Sequence, residues 1–149
     1  MRQQPAPSRS VHDRPVIPLD SAARAGELPL HPLDPSWILD GAPVARCLTL
    51  SESADAQLST GVWECTAGRF RYSYSVDEIA YIVEGSVVLS DLGGGNPRTL
   101  HPGDGAHFER GTSCEWNVPF YVRKVFVLRA TRDGLLSRIR RRLEAWRSG

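Results

Sequence analysis

Lysine, cysteine and long apolar runs are scarce in this 149-residue sequence. Lys124 is the only lysine among 18 basic residues, and these nearly balance the 17 acidic residues at a net charge of +1. That balance argues against the strongly basic kind of nucleic-acid-binding protein. The apolar runs are far shorter than the roughly 18 residues that a membrane-spanning helix needs, so no membrane segment is expected.

The cysteines and the amino terminus both predict a cytoplasmic protein. Cys47, Cys65 and Cys114 are an odd number, lie far apart and include no CxxC pair. This pattern is typical of a reducing compartment and not of a disulfide framework. The first fifteen residues contain no apolar stretch of the kind found in a secretory signal.

The prolines are concentrated near the N-terminus, and eight of the eleven fall within residues 1–43. This composition predicts a Pro-rich, extended N-terminal arm as the first of three units. Within it, the segment Asp34–Leu39 combines a tryptophan and two aliphatic residues with a turn signal. Such a segment usually docks onto the domain or onto a partner subunit, so we expect the arm to be partly docked.

Residues 44–130 change to short β-rich segments bounded by glycine and proline. Several alternate with period two, as Phe70, Tyr72 and Tyr74 do on one side of their segment. The predicted strands are Ala45–Ser51, Gly61–Thr66, Phe70–Val76, Ile79–Leu89, Arg98–Leu100, Gly105–Phe108, Cys114–Val118 and Tyr121–Ala130. Strands at this spacing without helices between them predict a closed antiparallel sandwich or barrel.

Residues 131–149 are predicted to form a C-terminal amphipathic α-helix. Asp133 is a suitable N-cap, and apolar residues recur at steps of three and four from Leu136 to Trp146. The arginines on the other faces could contact lipid or nucleic acid. We favour an apolar stripe that packs on the barrel or across a dimer. A homodimer is expected, because both terminal segments carry apolar residues that need cover.

Several short motifs follow one another at fixed spacing between residue 61 and about residue 128. They are Gly61–Gly68, Asp77-Glu78, Tyr81–Gly85, Pro102-Gly103-Asp104, Gly111, Trp116 and Val122–Val125. In this order they resemble the cupins, and more narrowly the cupin_3 group that includes ureidoglycine aminohydrolase and the ethanolamine-utilisation cupins. The resemblance implies an all-β cupin jelly-roll β-barrel over residues 44–130 and a homodimer of such barrels.

The same resemblance indicates where a metal would be held. Metal-binding cupins carry two histidines and a glutamate in a first motif and a third histidine in a second motif. Glu78 keeps the glutamate position, whereas Tyr72 and Tyr74 occupy the first two histidine positions and Cys114 the third. His101 and His107 lie near the second motif but outside its ligand register.

This departure predicts no resident cofactor. Tyrosine binds metal only as phenolate, and its ordinary pKa of about 10 makes that form costly at neutral pH. A thiolate and a carboxylate supply two ligands, fewer than the three or four of ordinary zinc sites. If Zn, Mn, Fe or Ni is bound after all, its ligands would be Glu78, Cys114 and Tyr74.

What remains is an unusual pocket. Tyr72, Tyr74 and Glu78 share strand parity and should face the barrel interior together, and Lys124 could reach them from the last strand. We take these four as candidate catalytic residues. The aromatic and thiol residues expected to line the same cavity and bind substrate are Trp63, Phe108, Cys114 and Trp116.

The chemistry of this set leaves three hypotheses open. The first is a small non-redox enzyme (a lyase, isomerase, cyclase or hydrolase) that uses Glu78 and the tyrosines for proton transfer on a polar metabolite. The second is a non-catalytic ligand-binding or accessory cupin, in which Glu78 and Lys124 form a structural ion pair and the tyrosines are core aromatics. The third is a metallo-cupin enzyme with a non-standard Glu/Cys/Tyr site. The resemblance does not identify the substrate.

Overall fold

Eight antiparallel strands make up most of the regular structure in the computed structural model, which describes residues 28–130. The strands are β1 (Ile38–Gly41), β2 (Ala45–Glu52), β3 (Leu58–Ser73), β4 (Asp77–Gly85), β5 (Val87–Asp91), β6 (Arg98–Leu100), β7 (Gly105–Phe108) and β8 (Ser113–Arg129). A 3-10 helical turn, Pro35–Trp37, precedes β1. Its cap is Asp34, whose carboxylate accepts a hydrogen bond from the backbone N–H of Ser36.

The two longest strands, β3 and β8, organise the sheet. They pair along nearly their whole length, and the register shifts once, between Thr66 and Gly68. Gly68 leaves room for the ring of Pro43, because a Cβ at that position would lie only 2.7 Å from the proline ring. A bulge of this kind bends the strands, so each long strand contributes to two layers.

The bend assigns the other strands to one layer or the other. In the first layer, β2 pairs with the first half of β3, and β4 pairs with the second half of β8. Strand β7 extends this layer by pairing with β4. In the second layer, β1 pairs with the second half of β3, and β5 pairs with the first half of β8. Strand β6 extends this layer by pairing with β5. Trp63 of the first layer contacts Phe70 and Trp116 of the second, with ring centroids 6.3 and 5.4 Å apart. The layers therefore share one core, which is consistent with the expected jelly-roll barrel.

The predicted strands match the structure in position but not in continuity. Two pairs of predicted segments are in fact the continuous strands β3 and β8, because a bulge interrupts the register without ending the strand. Conversely, the predicted strand Ile79–Leu89 is wrong, since the chain turns between β4 and β5. Gly85 makes that turn with a φ of +71°, and the carbonyl of Tyr121 leaves no room there for a Cβ.

Residues 28–43 lie against the barrel. Leu28 and Leu33 are buried, and Leu30 forms an isolated bridge with Arg46 of β2. Trp37 contacts the ring of Tyr72 edge to face, with centroids 5.4 Å apart. The division into an arm (1–43), a barrel (44–130) and a terminal helix (131–149) stays a prediction, because residues 1–27 and 131–149 lie outside the described residues.

Within residues 28–130 there is no helix with the length and hydropathy needed to span a bilayer.

Candidate functional site

Glu78 and Lys124 form an ion pair inside the barrel. Glu78 lies near the start of β4, and Lys124 lies on β8 opposite Ile82, so the lysine side chain reaches back along β4 to the carboxylate. The ammonium Nζ donates a hydrogen bond to Oε1 of Glu78. Both residues are buried, with 6% and 5% of their surface exposed. Two opposite charges therefore lie out of solvent in direct contact.

Aromatic rings surround the ammonium group of Lys124. Its Nζ lies 4.7 Å from the ring centroid of Trp116, 5.0 Å from that of Trp63 and 5.9 Å from that of Phe108. The negative faces of such rings attract a cation, and the attraction is stronger in a desolvated site. Glu78 and the rings together replace the hydration that the ammonium loses on burial.

Tyr74 is a neutral core residue. Its hydroxyl accepts a hydrogen bond from the indole N–H of Trp116 at 3.1 Å and lies 3.6 Å from the sulfur of Cys114. Its ring stacks on Phe108 at a centroid distance of 4.4 Å. Burial raises the pKa of Tyr74 strongly, and the negative charges that Cys114 and Glu78 can carry raise it further. Tyr74 therefore stays a phenol at neutral pH.

Tyr72 differs from Tyr74 in exposure and in hydrogen bonding. It is half-buried, and its ring contacts Tyr74 edge to face at 4.9 Å. Burial raises the pKa of Tyr72, and the charge of Glu78 raises it further. Its hydroxyl has no hydrogen-bond partner among residues 28–130. Tyr72 therefore offers a protonated hydroxyl that is free to bind a ligand.

A cavity of about 80 Å³ lies beside the ion pair. It is lined by Cys47, Trp63, Phe70, Tyr72, Glu78, Trp116, Lys124, Phe126 and Leu128. Cys47, Tyr72 and Leu128 are only half-buried, whereas the other six are buried, so the cavity opens on the side of these three. We call this space the inner cavity. It brings together five of the eight residues proposed from the sequence.

The other three proposed residues do not line the inner cavity, which corrects the expectation of one shared space. Phe108 and Cys114 line a separate, open groove of about 910 Å³ between β5, β6, β7 and the loop that leads to β8. Tyr74 stacks on Phe108 and bonds to Trp116, so these rings stand between the groove and the inner cavity. The binding roles proposed for Phe108 and Cys114 stay predictions.

Four of the cavity residues were not proposed from the sequence, namely Cys47, Phe70, Phe126 and Leu128, and Cys47 is the reactive one among them. It lies on β2 directly opposite Trp63 of β3, and its side chain faces the same interior. Burial raises the pKa of its thiol, an effect that the charge of Lys124 partly opposes. The alternation of Ala45 and Cys47 was the available signal, but the pairing of β2 with β3 is needed to place it.

The donor set does not fit a divalent metal. No group of three or more His, Cys, Asp or Glu side chains that could hold a metal exists between residues 28 and 130. The carboxylate of Glu78 already binds the ammonium of Lys124. Burial raises the pKa values of Tyr74 and Cys114, which disfavours the phenolate and thiolate forms that a metal requires. His101 and His107 are exposed.

Comparisons with known proteins agree with this fold. The EutQ protein of Clostridium difficile has a similar structure, with a TM-score of 0.52 and 20% identity over 61% of this chain and 66% of that one. A protein of unknown function from Pseudomonas syringae pv. tomato is 31% identical over 68% of this chain and 43% of that one, with a TM-score of 0.61. The chain thus spans less than two thirds of either protein.

Curated proteins provide no match to this sequence. The family assignment comes from a model of the EutQ-like cupin domain, which matches residues 52–126 and thus half of the chain. The matched segment contains β3 to β7, most of β8 and both members of the Glu78–Lys124 pair. The protein therefore belongs to the family of EutQ-like cupin domains.

Proposed function

We propose that this protein is a small-molecule-binding cupin and a non-redox enzyme that transfers protons in its inner cavity. The observation that carries the proposal is the buried Glu78–Lys124 pair, which borders an aromatic-walled cavity together with the unpartnered hydroxyl of Tyr72. A carboxylate, an ammonium and a phenol at one small cavity are the groups that acid–base catalysis uses.

The energetics of the pair support a functional role. Taking two charges out of water costs several kcal/mol per ion, and apolar residues of similar volume are often as stable or more stable in their place. A buried ion pair is therefore weak evidence for stability. When such a pair lines a cavity, it becomes a candidate for chemistry. Glu78 and Lys124 both line the inner cavity, which is open on the side of Cys47, Tyr72 and Leu128.

In the proposed reaction, each group has a separate role. Glu78 accepts a proton from the carbon or oxygen of the bound molecule and returns it to another atom. Lys124 and Tyr72 donate hydrogen bonds to the negative charge that develops on the substrate oxygen. The rings of Trp63 and Trp116 exclude water, which strengthens these electrostatic interactions.

The size of the inner cavity limits what it accepts. A dry cavity of 150 Å³ in another protein accepts benzene, so a space of about 80 Å³ suits a group of roughly three or four non-hydrogen atoms. A larger substrate would place its reacting end inside and leave the rest on the side of Cys47 and Tyr72, where the cavity is open.

The test is exchange of carbon-bound protons with solvent. Propionaldehyde, hydroxyacetone, acetone and pyruvate are incubated in D2O with the protein, and loss of their α-proton signals is followed by NMR. We expect accelerated loss for at least one compound and a loss of that acceleration in Glu78→Gln. Glu84→Gln is the matched control, because Glu84 is an exposed glutamate at the end of the same strand. Unaccelerated exchange with all four compounds contradicts the proposal.

A second candidate function is a non-catalytic ligand-binding cupin. It is favoured by the mutual pairing of Glu78 with Lys124 and by the bonded hydroxyl of Tyr74, both of which a purely structural role requires. Chemical-shift changes of the tryptophan indole signals with one of the four compounds, in the absence of exchange, would support this function instead.

Two further expectations from the sequence are kept as proposals. A homodimer is proposed, and static light scattering at micromolar concentration tests it, with a monomer as the contradicting result. A cytoplasmic location is also kept as a proposal, on the cysteine pattern alone. The metallo-cupin alternative is disfavoured by the donor set described above.

A further inference from the structure

Lys124 has an unusual position for a lysine. It is the only lysine in the chain, so the N-terminal amine is the sole other aliphatic primary amine. Only 5% of its surface is exposed, its ammonium contacts a carboxylate, and it borders the inner cavity. An amine in such a place has a built-in proton acceptor and adjacent room for a small molecule.

The contact with Glu78 supplies a route to the nucleophilic form of the amine. Transfer of one proton from Nζ to Oε1 along their hydrogen bond converts two buried charges into an amine and a carboxylic acid. Low-dielectric surroundings favour neutral groups over charged ones, which offsets part of the cost of this transfer. The burial of both side chains provides such surroundings.

We propose that Lys124 forms an imine with small uncharged aldehydes and ketones in the inner cavity, with Glu78 as its proton relay. This inference rests on the proposed function, because it names carbonyl compounds as the substrate class of the same site. An imine withdraws electrons from the neighbouring carbon, and this makes the α-proton easier for Glu78 to remove.

The steps balance without an additional reactant. Glu78 takes a proton from the ammonium, and the Nζ lone pair attacks the carbonyl carbon while the C=O π electrons move to oxygen. That oxygen takes the proton back from Glu78 and becomes the hydroxyl of a carbinolamine. Glu78 then removes a second proton from nitrogen and delivers it to the hydroxyl, which leaves as water as the C=N bond forms. The product is a protonated imine, still paired with the Glu78 carboxylate.

The lining of the cavity explains the preference for uncharged compounds. Among the described residues that line it, Lys124 is the only cation, and its charge is already matched by Glu78. The remaining walls are mainly apolar, with Phe70, Phe126 and Leu128 beside the tryptophans. A carboxylate on the substrate would lack a partner there, so propionaldehyde should react and glyoxylate should not.

Reductive trapping tests the inference on the full chain. The protein is incubated with propionaldehyde and sodium cyanoborohydride, and propyl groups are located by intact mass and peptide mapping. We expect Lys124 to be labelled faster than the N-terminal amine, and this preference to disappear in urea. In Glu78→Gln the labelling rate of Lys124 should fall on the order of a hundredfold, the lower end of what a positioned acid–base group contributes. In Glu84→Gln it should not change.

Several outcomes overturn the inference. One is a Lys124 that stays unlabelled while the N-terminal amine reacts. Another is equal labelling in Glu78→Gln and Glu84→Gln, each shown to be folded by near-UV circular dichroism, which excludes Glu78 as the relay. A glyoxylate adduct that forms as fast as the propionaldehyde adduct overturns the stated substrate class.

The trapping and exchange experiments together distinguish failure of the imine proposal from failure of the proposed function. Exchange without labelling leaves the proposed function intact, with Glu78 acting directly on the substrate, and overturns the imine. Labelling without exchange supports the imine and contradicts proton transfer to carbon. When neither occurs, both proposals are wrong.

Discussion

Two consecutive residues of β8, Arg123 and Lys124, make buried ion pairs on opposite faces of the same sheet. Lys124 faces the core and bonds directly to Glu78. Arg123 faces outward, and its Nε lies 4.0 Å from Oε2 of Glu64, whose same oxygen accepts a hydrogen bond from Tyr121 at 2.8 Å. Both basic residues are at least 95% buried. Burial and charge alone therefore do not distinguish the two pairs.

The surroundings distinguish them. Arg123 belongs to a row of alternating charges across four strands, in which Arg46, Glu64, Arg123 and Glu84 are successive cross-strand partners. Opposite charges in neighbouring strands stabilise a sheet, so this row has a structural explanation. Lys124 instead lies among aromatic rings beside a cavity. A buried charge therefore indicates a functional site when it also borders a cavity that a ligand can enter.

The largest expected effect comes from breaking the inner pair. Lys124→Met leaves Glu78 buried without its partner, which should lower the free energy of unfolding by about 3–5 kcal/mol. Urea denaturation measures this loss. The double variant Lys124→Met/Glu78→Leu should recover most of it, because no charge then remains buried. A single variant as stable as the wild type would contradict the picture of a tight, desolvated pair.

Breaking the outer pair should have a smaller effect on stability and none on chemistry. In Arg123→Met, Glu64 keeps its hydrogen bond from Tyr121, and two guanidinium nitrogens that lack a hydrogen-bond partner are removed. We expect a loss of about 1 kcal/mol in urea denaturation, because removal of these unsatisfied nitrogens offsets part of the loss of the ion pair. Unchanged α-proton exchange and Lys124 labelling are also expected. Loss of either activity in a folded Arg123→Met protein would break the distinction between the two pairs.

The two tyrosines sharpen the comparison further, because only one of them has a free hydroxyl. Tyr74→Phe leaves the buried indole N–H of Trp116 without its acceptor and should cost about 1–3 kcal/mol of stability. Tyr72→Phe should change stability by less than about 0.5 kcal/mol, since no bond is lost.

Activity should respond in the opposite order. Tyr72→Phe removes a donor to the developing oxyanion, so exchange should slow on the order of a hundredfold. Tyr74→Phe should exchange at the wild-type rate while folded. NMR exchange rates check both variants, and equal rates for Tyr72→Phe and the wild type would remove Tyr72 from the proposed site.

The smallest expected effect is that of metal removal. Because Lys124 already supplies the positive charge beside Glu78, we expect elemental analysis of untagged protein to find Zn, Mn, Fe and Ni far below one per chain. Dialysis against a chelator should leave the exchange rate unchanged. Near-stoichiometric metal that is required for exchange would revive the metallo-cupin alternative with Glu78 and Cys114 as ligands.

Much of the fold was predictable from the chain, because strand parity and turn glycines are local properties. Strand parity correctly predicted that Glu78 and Tyr72 face the barrel interior, which the side chain of Lys124 also reaches. It did not show how deep a residue lies along the barrel, so Tyr74 and Cys114 were expected in a space that they only border. The depth of a residue in the barrel depends on the register between neighbouring strands. The same register decides that Cys47 lies opposite Trp63.

The pairing of Glu78 with Lys124 shows the same limit. The two residues are not cross-strand partners, since Lys124 lies opposite Ile82 and Glu78 opposite Leu128. Only the length of the lysine side chain and the direction it takes bring their charged ends together. The sequence left this contact open as one alternative, and the folded core was needed to establish it.

Proton exchange in D2O tests the central claim most directly, because it reads out the chemistry of Glu78 itself. Wild type, Glu78→Gln and Glu84→Gln are compared with the same four carbonyl compounds at equal protein concentration. The account predicts accelerated α-proton loss from at least one uncharged compound in the wild type and in Glu84→Gln, and only the background rate in Glu78→Gln. A folded Glu78→Gln protein that exchanges as fast as the wild type would contradict it.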